Sequence, residues 1–145
     1  MSATREQILD ALLAALSACA PFKLTSRRDR APESIGPDQS PALFLLETGE
    51  RYERPTPINP PKRTLLVDAV FYNDAGADPN AIPLAVINAA LDALDDALAS
   101  DNALVGRFTI GGRVYSCMID GAVKKFPGAK TGKAGAIVPL AILLP

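Results

Sequence analysis

Apolar residues near the start of the chain recur at helical spacing. Ile8, Leu12, Leu16 and Cys19 form a stripe, with Leu9 and Leu13 beside it. Thr4 followed by Gln7 has the spacing of a capping box, so a helix is predicted over about residues 5–19, stopping before Pro21. A second helical pattern lies in "DPNAIPLAVINAALDALDDALASDN". Asp78 is its predicted cap ahead of Pro79. Ile82, Val86, Ala89, Ala90, Ala93, Leu94 and Ala97 share one side, and Leu84, Ile87, Leu91 and Leu98 widen that face. Asn88, Asp92, Asp95 and Asp96 are the polar remainder, and the late aspartates oppose the helix dipole, which argues that they face water or a basic partner.

Strand patterns occupy residues 22–27, 42–46, 64–72, 106–110, 114–119 and 136–144. In "TLLVDAVFY", Leu65, Val67, Ala69 and Phe71 take one face, and Leu66, Asp68, Val70 and Tyr72 the other. Asp68 there reads as a satisfied carboxylate on the sheet surface. Gly111 and Gly112 signal a hairpin between "GRFTI" and "RVYSCMI". Pro139 cannot donate a ladder bond, so the last strand is expected at an edge or a bulge. The sum is an α+β fold: a mostly antiparallel β-sheet with two principal helices packed on one face. It forms a single domain over residues 1–145, without an internal repeat.

Two segments fall outside this core. Residues 47–62 read as an extended loop, stiffened toward polyproline geometry by Pro55, Pro57, Pro60 and Pro61 and ending in Lys62. Residues 121–135 read as a second loop, in which glycines and prolines interleave with Lys124, Lys125, Lys130 and Lys133. Both are long for mere connections, which favours binding or assembly. The first could serve as a catalytic lid, a nucleic-acid arm or a grip on a neighbouring subunit; its plainest alternative is a cover for the chain's own sheet edge.

Composition narrows the class. The 145 residues are 48% hydrophobic with a formal net charge of -1, which excludes a disordered chain and a wholly basic module. Charge is nevertheless uneven. Residues 23–63 carry eight basic and six acidic side chains, residues 64–120 two and eight, and residues 121–145 four lysines and no acid. Such a pattern suits oriented charged faces, as well as an ordinary solvated surface. Cys19 and Cys117 sit in apolar contexts and are expected to be free thiols. The start of the chain lacks the pattern of a secretory leader and no stretch approaches the ~18 apolar residues of a membrane span, so the expectation is no membrane and a cytoplasmic default.

Enzymatic chemistry finds little footing. With no histidine and two distant cysteines, neither a zinc site nor a histidine-based triad can be built. Asp92, Asp95 and Asp96 lie on a solvated helix face, so no metal is expected there. "GAKTGKAG" differs from a phosphate loop: its second glycine comes one residue early, and Ala134 stands where a magnesium-binding hydroxyl belongs. "SDN" at 100–102 and "KTG" at 130–132 match two elements of penicillin-recognising enzymes, but no serine is followed by lysine three places on. Lys23, Arg27, Arg28 and Arg30, together with the four late lysines, could neutralise phosphates without reading a sequence.

Several strings, in their order, carry a family resemblance. "SRR" at 26–28, "PALFL" at 41–45, "YER" at 52–54, "PPKRTLLVDAVFY" at 60–72, "IPLAVINAALDALDDAL" at 82–98, "GGRVYSCMIDG" at 111–121 and "VPLAILLP" at 138–145 span almost the whole chain. Together the chain resembles the tail terminator, or tail completion, proteins of long-tailed bacteriophages and prophages. That resemblance implies a small structural subunit that assembles as a homohexameric ring on the head-proximal end of the tail tube. The ring would stop tube polymerisation and meet the head-tail connector, with DNA passing non-specifically through its channel. It implies no turnover and no cofactor, assembly in the host cytoplasm, and a final place in the virion tail.

On that reading Tyr52, Arg54 and the proline arm reach a neighbouring subunit. Arg27, Arg28 and Arg30 pair with Asp92 and Asp96 on the second helix of the next copy. Lys124, Lys125, Lys130 and Lys133 line the channel or meet the tube. A head-tail connector or other neck protein is the near alternative, and a monomeric nucleic-acid or peptide-binding module the distant one. A heterologous ring subunit should expose partly apolar surfaces on two different sides, whereas a monomer should expose neither.

Overall fold

A computed structural model of the chain describes residues 3–58, 60–101, 104, 106–128 and 132–145. The elements are α1 (Arg5–Ser17), β1 (Leu24–Ser26), β2 (Ala42–Glu53), β3 (Lys62–Asp74), α2 (Pro83–Ala97), β4 (Ser116–Ile119), β5 (Lys124–Phe126) and β6 (Lys133–Leu143), with short 3-10 turns at Pro32–Ser34 and Pro37–Gln39. The sheet runs β1-β2-β3-β6-β4, and β5 also pairs with β6. Every pairing is antiparallel except β1 with β2. The architecture is the expected α+β arrangement, with both helices packed over one face.

The capping box forms as the sequence predicts. The Gln7 N–H donates to Thr4 Oγ1 at 3.2 Å, and the Thr4 N–H donates to the Gln7 side-chain oxygen at 2.9 Å. Ile8, Leu9, Leu12 and Leu16 then bury one stripe of α1. They meet Leu43, Leu45, Leu65, Val67, Ala69 and Phe71 from β2 and β3, and Val138, Leu140 and Ile142 from β6. A smaller cluster of Ile35, Ala42, Phe44 and Val70 lies on the opposite face. There the crossover from β1 to β2, which a parallel pair requires, lays its 3-10 turns over one end of the sheet.

Several sequence expectations need correction. Residues 47–62 are mostly not a loop. Past a register shift between Glu47 and Gly49, β2 continues to pair with β3 as far as Glu53 opposite Lys62. Charged side chains on both faces hid this strand, because its ladder is built without burial. Only the proline-rich tip remains a turn. Likewise residues 121–135 contain β5 and the start of β6. Gly128, at φ 62°, sits so close to Lys133 that a Cβ would collide with its carbonyl, so the β5–β6 connection needs glycine.

Pro139 is not at an edge, since β6 lies between β3 and β4. Its carbonyl accepts the Asp120 N–H at 3.1 Å, where the chain leaves β4 before entering β5. The N–H that proline lacks points to this same gap, so no ladder bond is lost.

The predicted strand at 106–110 shrinks to an isolated bridge at Arg107. Asp101 explains why: its Oδ1 accepts the Thr109 N–H and hydroxyl at 2.8 and 2.9 Å, and its Oδ2 accepts the Gly111 N–H at 2.8 Å. This carboxylate curls the chain into a turn where a flat hairpin was expected, leaving Ile110 at φ 52°, a costly conformation for a β-branched residue.

Asp78 caps a turn rather than α2. It accepts the Asn80 N–H at 2.9 Å, while Ile82 is the N-cap with Pro83 in the first helical turn. The buried stripe of α2 is Pro83, Ile87, Ala90 and Leu94. Ile82 and Val86, predicted on the inner side, are 69% and 42% exposed.

Candidate functional site

Three surfaces carry the residues singled out from the sequence. The first is the outer half of the β2–β3 hairpin. Glu50 and Tyr52 alternate onto the helix-covered side of the ladder, where Arg5 at the start of α1 meets both. Its Nη2 donates to Glu50 Oε1 at 2.7 Å and to the Tyr52 hydroxyl at 3.0 Å. The hydrogen bond and charge of Arg5 hold the Glu50 carboxyl below its ordinary range. The arm is thus braced against its own helix, and Tyr52 remains 56% exposed. Arg54 follows at the exposed entry to the tip. At the tip Ile58 is 91% exposed, a large aliphatic side chain held in water between prolines.

The second surface is the edge at β1. Arg27 is committed inside the subunit: Nη1 contacts Glu6 at 2.6 Å and Asp10 at 3.1 Å, and Nη2 lies 3.5 Å from Glu47. Hydrogen bonding to Glu6 raises the Arg27 pKa and lowers that of Glu6. Arg27 therefore ties α1 to β1 and β2. Arg28 and Arg30 stay exposed just beyond, as do Asp92 and Asp96 on α2. Within one subunit no ion pair joins these arginines to those aspartates among the described residues. The aspartates end an exposed stripe that begins with Ile82, Val86 and Ala89.

The third surface surrounds β5. Lys124 lies opposite Ile137 and Lys125 opposite Ala136, so they project to opposite faces of the sheet. Lys125 Nζ donates to Asn88 Oδ1 on α2 at 2.9 Å. Lys133 Nζ reaches the Glu33 carbonyl at 3.3 Å and Asp74 at 4.0 Å. Lys130 lies outside the described residues. The described lysines do not converge on one lining.

Between the 3-10 turn at Pro32–Ser34 and the neighbouring ends of β3 and β6 lies a cavity of about 340 Å³. Pro32, Ile35, Tyr72, Ile137 and the half-exposed Phe126 make its apolar wall, with Asp74 and Lys133 at the rim. Burial, and then the nearby charges of Asp29 and Glu33, push the Tyr72 hydroxyl above its ordinary pKa. Sequence reading missed this cavity because its walls come from four separated segments. It also missed Ile58, although a lone large aliphatic among four prolines was a legible signal.

Asp68 is half-buried opposite Leu46 and Pro139, and its side chain has no hydrogen-bond or ion-pair partner among the described residues, unlike the satisfied carboxylate expected from the sequence. Burial pushes the Cys117 thiol up to about 12, which marks it as an inert core group. No cluster of three His, Cys, Asp or Glu side chains suited to a metal occurs among the described residues, and none of their helices is long and apolar enough to cross a membrane.

No family model and no curated protein matches the chain. Among solved structures, its fold is similar to that of a chain in the virion of a native gene transfer agent particle. The two are 13% identical, the match covers 94% of this chain and 90% of the other, and the TM-score is 0.51.

Proposed function

We propose that the chain is a structural virion subunit that forms a ring on the head-proximal end of a phage-like tail tube, ending tube growth and offering a surface for head joining. The observation that carries this reading is the placement of exposed apolar side chains on different sides of a well-packed body. Ile58 stands at the hairpin tip, Ile82 and Val86 on α2, and Phe126 at the far end of the sheet. Heterologous association needs two such unlike patches. The fold shared with a chain of the gene transfer agent virion supports the same class.

In this ring, the braced arm with Tyr52 and Arg54 reaches the neighbour. Arg28 and Arg30 are the β1-edge cations left to face Asp92 and Asp96 of another copy, since Arg27 has its partners at home. Lys124 and Lys125, on opposite faces, serve two different contacts, of which one is the tube or the DNA path. The test is electron microscopy of purified tails with and without the protein. Tubes of uniform length with a closed end in its presence, and overlong tubes in its absence, are expected. Normal tubes that join heads without it would overturn the reading.

A further inference from the structure

The hairpin tip and the apolar cavity lie at opposite ends of one strand. β3 runs from Lys62, beside the tip, to Asp74, at the cavity rim. Its thirteen residues separate the two by about 40 Å, at ~3.3 Å per residue. A subunit therefore cannot fill its own cavity with its own tip. A second copy can.

We propose that the cavity walled by Pro32, Ile35, Tyr72, Phe126 and Ile137 receives the Ile58 tip of a neighbouring copy of this chain. Three observations select that occupant. Ile58 is almost fully exposed at the end of an arm whose base is braced by the Arg5–Glu50 pair, so the side chain is offered outward and not to its own body. The flanking Pro57 and Pro60 stiffen the presentation further.

Charge is complementary as well. Residues 54–63 carry Arg54, Lys62 and Arg63 and no acid. Asp74 lines the cavity and Asp29 and Glu33 lie near enough to act on Tyr72, against Lys133 in the lining and Lys124 opposite Ile137, so acids are in slight excess there. Burial is the main cause of the raised Tyr72 pKa, and the nearby charges of Asp29 and Glu33 add to it at the cavity wall. A basic tip is drawn toward the Asp29, Glu33 and Asp74 side of the rim and away from Lys124 and Lys133, which orients it before the apolar side chain is seated.

Finally, knob and socket are different surfaces of one subunit, so each copy offers both and the contact propagates head to tail. This deepens the ring reading and rests on it. It assigns the apolar contact to a pair of sites that Tyr52 and the arginines only flank.

The test uses two single-site variants in a Cys19→Ser background, Ile58→Cys and Phe126→Cys, mixed at high concentration and oxidised. Seating of the tip predicts a disulfide-linked species containing one of each, at least tenfold above the homodisulfides of either variant alone. In parallel, Ile58→Asp should leave the thermal midpoint unchanged and lower self-association at least tenfold by analytical ultracentrifugation. A ring of unchanged mass in Ile58→Asp, without the mixed disulfide, overturns tip seating, leaves the ring reading standing, and gives the cavity to another partner. A wild-type chain that stays monomeric at every concentration and is absent from particles overturns both.

Discussion

The two halves of the β2–β3 hairpin share one ladder and differ in almost everything else. From Ala42 to Leu45, β2 is buried on both sides, with Leu43 and Leu45 under the helices and Ala42 and Phe44 under the crossover. Beyond the register shift at Thr48, the same strand carries Glu50, Arg51, Tyr52 and Glu53 into solvent. Backbone pairing is thus continuous while side-chain burial stops. The near half stabilises the subunit; the far half is a braced projection whose exposed residues contribute little to the body. Substitutions should separate the two.

The largest effect is expected in the near half. Phe71, 1% exposed and packed on Phe22 with ring centroids 5.7 Å apart, belongs to the helix-side core. Phe71→Ala removes an aromatic side chain and leaves a cavity, a change that costs about 3–5 kcal/mol. Urea unfolding should show that loss, whereas Ile58→Ala at the tip should stay within about 0.5 kcal/mol of wild type. Equal effects at both sites would erase the distinction between body and arm.

Next comes Asp101, the carboxylate that shapes the turn at 109–112. Burial disfavours its charge, but the N–H groups of Gly111 and Thr109 and the Thr109 hydroxyl outweigh this and keep its pKa low. Asp101→Ala leaves the buried Thr109 without its acceptor and should destabilise the fold by about 2 kcal/mol. Asp101→Asn, which keeps acceptor capacity on one oxygen, should recover part of the loss. If Asp101→Ala unfolds at the wild-type midpoint, the turn is held by something else.

How far the sequence revealed this molecule follows the same division. Ile8, Leu12 and Leu16 showed their helix because one face is apolar and the other polar. Leu65, Val67, Ala69 and Phe71 showed their strand through alternation against the helices. Glu50 to Glu53 did not, because a ladder exposed on both faces leaves no alternation to read. Ile82 and Val86 misled in the opposite sense: apolar residues at helical spacing read as core, yet α2 buries Ile87 and Leu94 and leaves those two outside. The cavity at Tyr72 was unreadable, since Pro32, Phe126 and Ile137 join it only after four segments meet. The ion pairs of Arg27 were equally unreadable, because Glu6, Asp10 and Glu47 lie far away in sequence.

A smaller effect distinguishes the arginines of the β1 edge. Arg27→Glu would set a fourth carboxylate among Glu6, Asp10 and Glu47, three acids that now share its guanidinium. Because those partners are solvated, the expected loss is modest, roughly 2–4 °C in thermal midpoint at low salt and less at high salt. Arg28→Glu should leave the midpoint alone and weaken self-association. A reversed pattern, with Arg28 supporting the fold and Arg27 only association, would return Arg27 to the interface.

The smallest effect concerns the brace at the base of the arm. Glu50 is held below its ordinary pKa by the Arg5 hydrogen bond, so its folded-state pKa lies under its unfolded value. Such a group contributes stability that is fully present above the unfolded pKa and is lost as pH falls through the folded one. With both partners partly in water, Glu50→Gln should lower the thermal midpoint by only about 1 °C at pH 7. The difference from wild type should close as pH falls through the lowered folded-state pKa, once the native carboxyl is itself protonated. The informative readout is the arm: hydrogen exchange at Arg51 and Tyr52 should quicken in Glu50→Gln at pH 7 while exchange at Leu43 and Val70 is unchanged. If exchange rises equally in both halves, the hairpin opens as one unit and the brace does not isolate the arm from the body.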